Sequence, residues 1–184
     1  LAQAYEIGNG GSPVGVLSDG ATLNVPRGVT LVVEAGAILK FAGSKILVGS
    51  DDATTDRSNS AIQVLGIPGL PVRFTSHFDQ SLGQDTNPLN TTATPGQWGG
   101  IEIRNDFDRA QGRVDREREG IFLNSIFQSN IEFGGGRVGV GAQARPVSPI
   151  HLSEARPLIV GNSITRNADA AISIDPDSFE ETLF

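Results

Sequence analysis

Apolar residues recur at alternate positions along this chain, in runs of only three to five residues, which is the period of a strand and not of a helix. In the first half the runs are Leu23-x-Val25, Val29-x-Leu31-x-Val33, Ile38-x-x-Phe41, Ile46-x-Val48, Ile62-x-Val64 and Val72-x-Phe74. The second half continues with Ile101-x-Ile103, Ile121-x-Leu123, Ile131-x-Phe133, Ile150-x-Leu152, Leu158-x-Val160 and Ile172-x-Ile174. Each predicts a strand with its Ile, Val, Leu and Phe side chains turned inward.

The runs also repeat. Asn124-Ser125-Ile126 returns as Asn162-Ser163-Ile164 after 38 residues, and Ile101-Glu102-Ile103 is echoed by Ile150-His151-Leu152 after 49. The difference falls on Arg104 to Gly120, a charged stretch without apolar periodicity that reads as an insertion. A second phase, Ile150 with Ile172 at 22 residues, stays open beside the first. Short strands at such a repeat predict an all-β fold, a right-handed parallel β-helix (solenoid) with loop insertions, because each strand pairs with the one a coil above and a coil below. Asn124, Gly161, Asn162 and Asn167 are expected at corners in the left-handed backbone conformation. A β-sandwich is the competing all-β reading, but only Asn9-Gly10 and Asp19-Gly20 fit a two-residue hairpin turn. Ser50 to Ser60, Thr75 to Pro95 and Arg104 to Gly120 are expected to project as loops. The chain is read as a single unit, with residues 1–19 as a lead-in, 20–175 as coils and 176–184 as the start of a further coil or cap.

Three ordered blocks carry a resemblance. Gly28-Val29-Thr30-Leu31-Val32-Val33-Glu34-Ala35-Gly36-Ala37-Ile38-Leu39-Lys40-Phe41 resembles the G-x-T-L-x-V-x-x-G-x-x-L-x-F opening rung of parallel β-helix regions in large secreted bacterial surface proteins. Pro71-Val72-Arg73-Phe74-Thr75-Ser76 is similar to their P-I-x-F-T-S strand, and Gly96-Gln97-Trp98-Gly99-Gly100-Ile101 to the G-x-W-G-G-I that follows a polar loop. The resemblance implies an extracellular or cell-surface location, tolerance of calcium, and a structural or adhesive role. A related architecture houses polysaccharide lyases and glycoside hydrolases, so an enzyme acting on acidic polysaccharide is the alternative it implies.

Composition sharpens this reading. Hydrophobic residues make up 38% of the 184 but aromatics only 6%, with 23 Gly, so the apolar material is small and β-branched and suits strands. There is no Cys, which excludes disulfides and thiolate chemistry. There is no Met either, so the chain is expected to be a segment of a longer parent, whose remaining coils or further subunits are the expected partners at the coil ends. No apolar window is long enough to insert in a membrane. The net charge of -7 argues against a nucleic-acid surface, leaving a cell-surface glycan or protein as the expected ligand.

Candidate chemistry is sparse. Asp51, Asp52 and Asp56 share one oxygen-rich loop and are the candidate ligands for calcium, the one cofactor considered, although the loop lacks the Gly and closing Glu of an EF-hand. Asp79, Asp85 and Asn87 form a weaker acidic group. The alternating charges of Arg113 to Glu119, with Asp106 and Asp108 beside Arg104 and Arg109, read as a self-paired solvated loop. His77 and His151 are too few for a shared histidine site, and no nucleophile elbow or phosphate loop occurs. Candidate ligand contacts are the outward strand positions Arg73, Glu102, Glu132 and His151, which form a mixed-charge stripe if neighbouring rungs align them, and Trp98. For Trp98 two readings stand, a stacking platform for a sugar ring and a plug at a rung corner. Without a catalytic constellation, the expected function is a non-catalytic structural or adhesive module.

Overall fold

Strands of three to five residues are far too short to be stable alone, so their pairing decides the architecture. The computed structural model describes residues 4–8, 17–83, 92–140 and 142–179. Its strands are β1 (Tyr5–Gly8), β2 (Thr22–Asn24), β3 (Thr30–Glu34), β4 (Ile38–Ala42), β5 (Lys45–Gly49), β6 (Ala61–Leu65), β7 (Val72–Ser76) and β8 (Ile101–Arg104). After a five-residue helix α1 (Asp106–Ala110) come β9 (Ser125–Phe127), β10 (Ser129–Glu132), β11 (Arg137–Val140), β12 (Gln143–Pro146), β13 (Ile150–Ser153), β14 (Leu158–Val160), β15 (Ser163–Thr165) and β16 (Ile172–Ile174). With 4% helix and 42% strand the protein is all-β.

Successive strands go to three different sheets. The first sheet has the order β1-β4-β7-β10-β15, the second β16-β13-β8-β5-β2, and the third β14-β9-β6-β3, and every pairing within them is parallel. Register confirms one repeat and resolves the phase. Ile150 lies opposite Ile101 on one side and opposite Ile172 on the other, so the 49- and 22-residue spacings describe a single column. The Asn-Ser-Ile repeat is different: Ile126 pairs with Val64 and Ile159 in the third sheet, while Ile164 pairs with Ile131 in the first.

That repeat nevertheless has a shared chemistry. Asn162 donates from Nδ2 to the Ile126 carbonyl (2.7 Å) and accepts at Oδ1 from the Ser129 amide (2.8 Å). Asn167 does the same between Ile131 (3.1 Å) and Gly134 (2.7 Å), and Asn124 accepts from the Ile62 amide (3.0 Å). These side chains stand in for backbone groups where the ladder breaks at a corner. Among the four expected left-handed corners only Gly161 has positive φ; the non-glycine residues in that conformation, among those described, are Gln128, Phe133, Glu154 and Arg166, with Asn59 in the loop after β5. The asparagines serve through their amides, not through backbone freedom.

The inward columns make one core, including Val33, Val64 and Ile126 from the third sheet, Ile46, Ile101 and Ile150 from the second, and Leu39, Phe74 and Ile131 from the first. Each fully buried side chain of this size contributes roughly 1.5–3 kcal/mol by leaving water. The ring of Trp98 stacks on Phe41 at 4.4 Å, and Phe41 on Phe74 at 6.2 Å. Gly100, after Trp98, is required: a Cβ there would lie 1.9 Å from the Ser148 carbonyl oxygen of the next strand layer. Gly49 (φ 88°) is equally constrained, with the Arg104 carbonyl oxygen 1.7 Å from where its Cβ would be.

Several expectations need correction. Ile121-x-Leu123 is not a strand; the strand begins at Ser125, and Ile121 is exposed. In β14 the parity is reversed, since Leu158 and Val160 are 54% and 55% exposed and the inward residue is Ile159. Val29 is exposed. Thr75 and Ser76 belong to β7 and not to the loop that follows, because they pair with Lys40 and Phe41. Ile172 and Ile174 do lie in the inward columns, on the edge strand of the second sheet, where both remain partly exposed. Arg104 closes β8, and the insertion after it opens with α1. Asp19-Gly20 forms a turn, with the Gly20 amide on the Leu17 carbonyl (2.8 Å); Asn9-Gly10 lies outside the described residues.

The hairpin of β11 and β12 pairs antiparallel, and the dipeptide between its strands in the sequence, Gly141-Ala142, with Gly first, is a hairpin signal that the expectation of Asn-Gly or Asp-Gly passed over. It stands on the outer face of the second sheet. Val138 and Val147 bury themselves against Ala21 in a small core of their own, and Val138 closes on Gly99, where a Cβ would have only 2.5 Å.

Candidate functional site

Outward strand residues are enclosed on two outer faces: on the first sheet Lys40 and Thr75 are buried against Asp79, and on the second they lie beneath the hairpin. The hairpin leaves the chain just before β13, and the loop of residues 50–60 follows β5, so they rise at opposite ends of the strands. Between them lies a groove of about 430 Å³. Lys45, Glu102, Arg104 and His151 form its floor; Val138, Val140, Gln143, Arg145, Pro146 and Val147 line the hairpin side, and Asp51 and Asp52 the other.

Floor residues are engaged with one another or with neighbours. Lys45 and Glu102 form an ion pair, both side chains about nine-tenths buried. Arg104 holds Asp106 with two bonds, from Nε (3.1 Å) and Nη2 (2.7 Å), a fork that suits a carboxylate. Burial disfavours the Arg104 cation, but Asp106, with Glu102 and Asp175 nearby, raises its pKa above the ordinary value. His151 lies directly opposite Glu102 in register and Ser173 on its other side. The Ser153 hydroxyl donates to Asp175 (2.6 Å), so at the 3.3 Å contact between His151 Nε2 and Ser153 Oγ the imidazole is the donor. Its Nδ1 meets Ser173 Oγ at 2.8 Å.

The stripe predicted from outward positions therefore divides. Glu102 and His151 come together in the groove. Arg73 and Glu132 lie on the outer face of the first sheet, where Glu132 pairs with Arg166 and accepts from Thr165 (3.3 Å). Trp98 is a correction to the sugar-platform reading: it is fully buried, its indole N–H donates to the Glu132 carbonyl (2.8 Å), and no face is open to a ligand.

The three candidate calcium carboxylates are engaged separately. Asp51 pairs with Arg57 (3.3 Å). Asp52 Oδ1 accepts from the Thr54 amide (2.7 Å), the Thr54 hydroxyl (2.6 Å) and the Thr55 amide (2.9 Å), bonds that hold its carboxyl down at about 2. Asp56 caps Ser58 and meets Arg27 (3.3 Å), the Ser58 bonds lowering its pKa. No group of three or more His, Cys, Asp or Glu is placed to hold a metal ion among the described residues. In the weaker acidic group, Asp79 is buried, which by itself raises its pKa, but bonds from Ser81 and Thr75 outweigh burial and the net shift is downward. The backbone carbonyl of Asp79 accepts from Lys40 (2.7 Å). Asp85 and Asn87 lie outside the described residues.

Residues 104–120 are not the self-contained solvated loop their alternating charges suggested. Asp108 and Glu117 are buried, and Arg113 reaches across to the carbonyls of Thr55 (2.7 Å) and Ala53 (2.6 Å) while holding Asp108 (2.8 Å). Burial pushes the Glu117 carboxyl up, against the Arg156 amide and the Arg109 charge. The insertion thus braces the loop that bears Asp51 and Asp52.

Sequence reasoning missed Lys45, Arg104 and the hairpin as parts of a site. One signal was available for Lys45: the chain has only two lysines, Lys40 and Lys45, and both are buried. No protein family, curated protein or solved structure matches the chain.

Proposed function

We propose that the chain is a right-handed parallel β-helix that serves as a non-catalytic adhesive module of an extracellular bacterial surface protein, with the groove on its second sheet as the ligand-contact surface. Strands that visit three parallel sheets in turn, with each residue stacked on its counterpart, support the solenoid, and parallel crossovers favour the right hand. The observation that carries the function is the groove itself. Its floor is rigid, on strands, and its floor ions are paired, an arrangement suited to holding a ligand in place rather than moving protons.

The test is retention of the purified protein on surface extracts and a glycan array, compared with Gln143→Ala/Arg145→Ala on the exposed hairpin. Loss of retention in the variant is the expected outcome; no retention of the wild type on any surface leaves a scaffold role alone. A polysaccharide lyase or hydrolase on the same face draws support from His151 beside Glu102 in the groove, and requires release of unsaturated or reducing sugars. Stacking of further coils or a second subunit on β16 belongs to the same proposal, supported by the partial exposure of Ile172 and Ile174. Sedimentation as a strict monomer at high concentration removes the second-subunit form.

A further inference from the structure

The charges around the groove balance, and that balance restricts the ligand. Three cations line it, Lys45, Arg104 and Arg145, against three anions, Asp51, Asp52 and Glu102. The residues that pair with them from outside, Asp106 and Arg57, add one charge of each sign. A site for a polyanion needs uncompensated cations, and one for a metal ion needs converging carboxylates. The chain as a whole carries -7, which repels an acidic polymer before it arrives.

The floor also presents the wrong groups for an extended peptide. A peptide that binds by strand addition pairs with the free backbone edge of a sheet. Here the groove floor is the broad face of the second sheet, whose backbone groups are already bonded between strands, so the floor meets a ligand with side chains. The side chains along its walls both donate and accept: the amide of Gln143, the guanidinium of Arg145 and the carboxylate of Asp52. Val140 and Pro146 on the hairpin side add apolar surface beside the polar floor. Hydroxyl groups, which donate and accept without charge, on a ring with apolar C–H faces match both halves.

We propose that the groove binds an uncharged, polyhydroxylated chain, a neutral oligosaccharide, in preference to polyuronates or peptides. This rests on the adhesive reading of the same groove and specifies its ligand class. Gln143 and Arg145 make direct hydrogen bonds to hydroxyls, while the Lys45–Glu102 pair beneath keeps the floor electrically neutral.

Titration calorimetry tests this with three probes: neutral glucan and mannan hexasaccharides, an oligogalacturonate, and a six-residue Val/Thr peptide. The expected result is binding of at least one neutral hexasaccharide, changed less than about twofold between roughly 20 mM and 500 mM salt because no net charge is neutralised. Gln143→Ala/Arg145→Ala, both exposed, should weaken it about tenfold, the loss of one or two hydrogen bonds. Leu65→Ser on another face should leave it unchanged. Preference for oligogalacturonate with steep salt dependence, or binding of the peptide alone, overturns the ligand class. If no hexasaccharide binds while the hairpin variant still loses retention on surface extract, the class is wrong and the adhesive reading survives; if extract retention is also absent, both fall.

Discussion

The outer faces of the second and third sheets are built from the same kind of short parallel strand, yet they invert the usual distribution of charge and apolarity. On the second, an ion pair, Lys45 with Glu102, is buried beneath the hairpin and beside the loop of residues 50–60. On the third, aligned outward positions leave Val32, Leu65, Leu158 and Val160 exposed to solvent. Alternation along a strand fixes only which residues enter the core. What the other half does depends on whether a connection elsewhere in the chain folds back over it. Exposed valines on a bare face follow from the preference of β-branched side chains for the pleated backbone, without any covering element. A buried ion pair, by contrast, is tolerable only because its partners are fixed in register on adjacent strands.

The largest effect comes from removing what both faces share. Trp98→Ala should lower stability by about 4 kcal/mol in urea denaturation, since it empties a site stacked on Phe41 and orphans the Glu132 carbonyl. A loss below about 1 kcal/mol would show that the interior does not depend on that stack. Next is Glu102→Ala, which leaves Lys45 buried without its counter-ion and should cost about 3 kcal/mol; replacing both, as Lys45→Met with Glu102→Leu, should restore most of it. On the bare face, Leu65→Ser should change stability by no more than about 0.5 kcal/mol while reducing fluorescence of a hydrophobic dye. Equal costs for Glu102→Ala and Leu65→Ser would erase the contrast between the faces.

Acid should act on the groove wall. The Asp52 carboxyl, held at about 2 against an ordinary 3.8, keeps its three bonds fully above pH 4 and loses them as pH falls toward 2. Faster amide exchange at Thr55 across that window, without global unfolding, is the readout. Glu117 has the opposite sign: its raised value makes its contribution complete below about pH 4.5 and lost as pH rises through its folded pKa. The smallest effect is calcium. With Asp51, Asp52 and Asp56 engaged separately, melting temperature should be the same in chelator and in millimolar Ca²⁺, and a rise of several degrees would show that the loop rearranges around an ion.

Much of the interior was legible because alternation in Ile46, Ile101 and Ile150 leaves one face of each strand apolar over its whole length. Leu158-Ile159-Val160 was not, because three consecutive apolar residues carry no alternation and only pairing with Ser125 to Phe127 sets their parity. The Asn-Ser-Ile repeat misled on register for a related reason: Asn124 and Asn162 satisfy the same broken backbone bonds at two different corners. The site was largely illegible. Glu102 and His151 were visible as outward positions, but their enclosure depends on the hairpin, whose Gly141-Ala142 dipeptide is a weaker signal than Asn-Gly, and on a loop braced by Arg113 from more than fifty residues away.

The stacked register has a further consequence. Ile101, Ile150 and Ile172 occupy one column although 49 residues separate the first pair and 22 the second. The extra length leaves at the corners, as α1 with its following turns and as the hairpin, and the strands on either side align as if it were absent. Corners are thus the positions where descent with modification can lengthen, shorten or exchange segments without renegotiating the core. A lineage of such proteins should diversify its outer faces much faster than its interior, and the hairpin tip between Gly139 and Ala144, clear of the buried Val138, is where a grafted foreign segment would be accommodated.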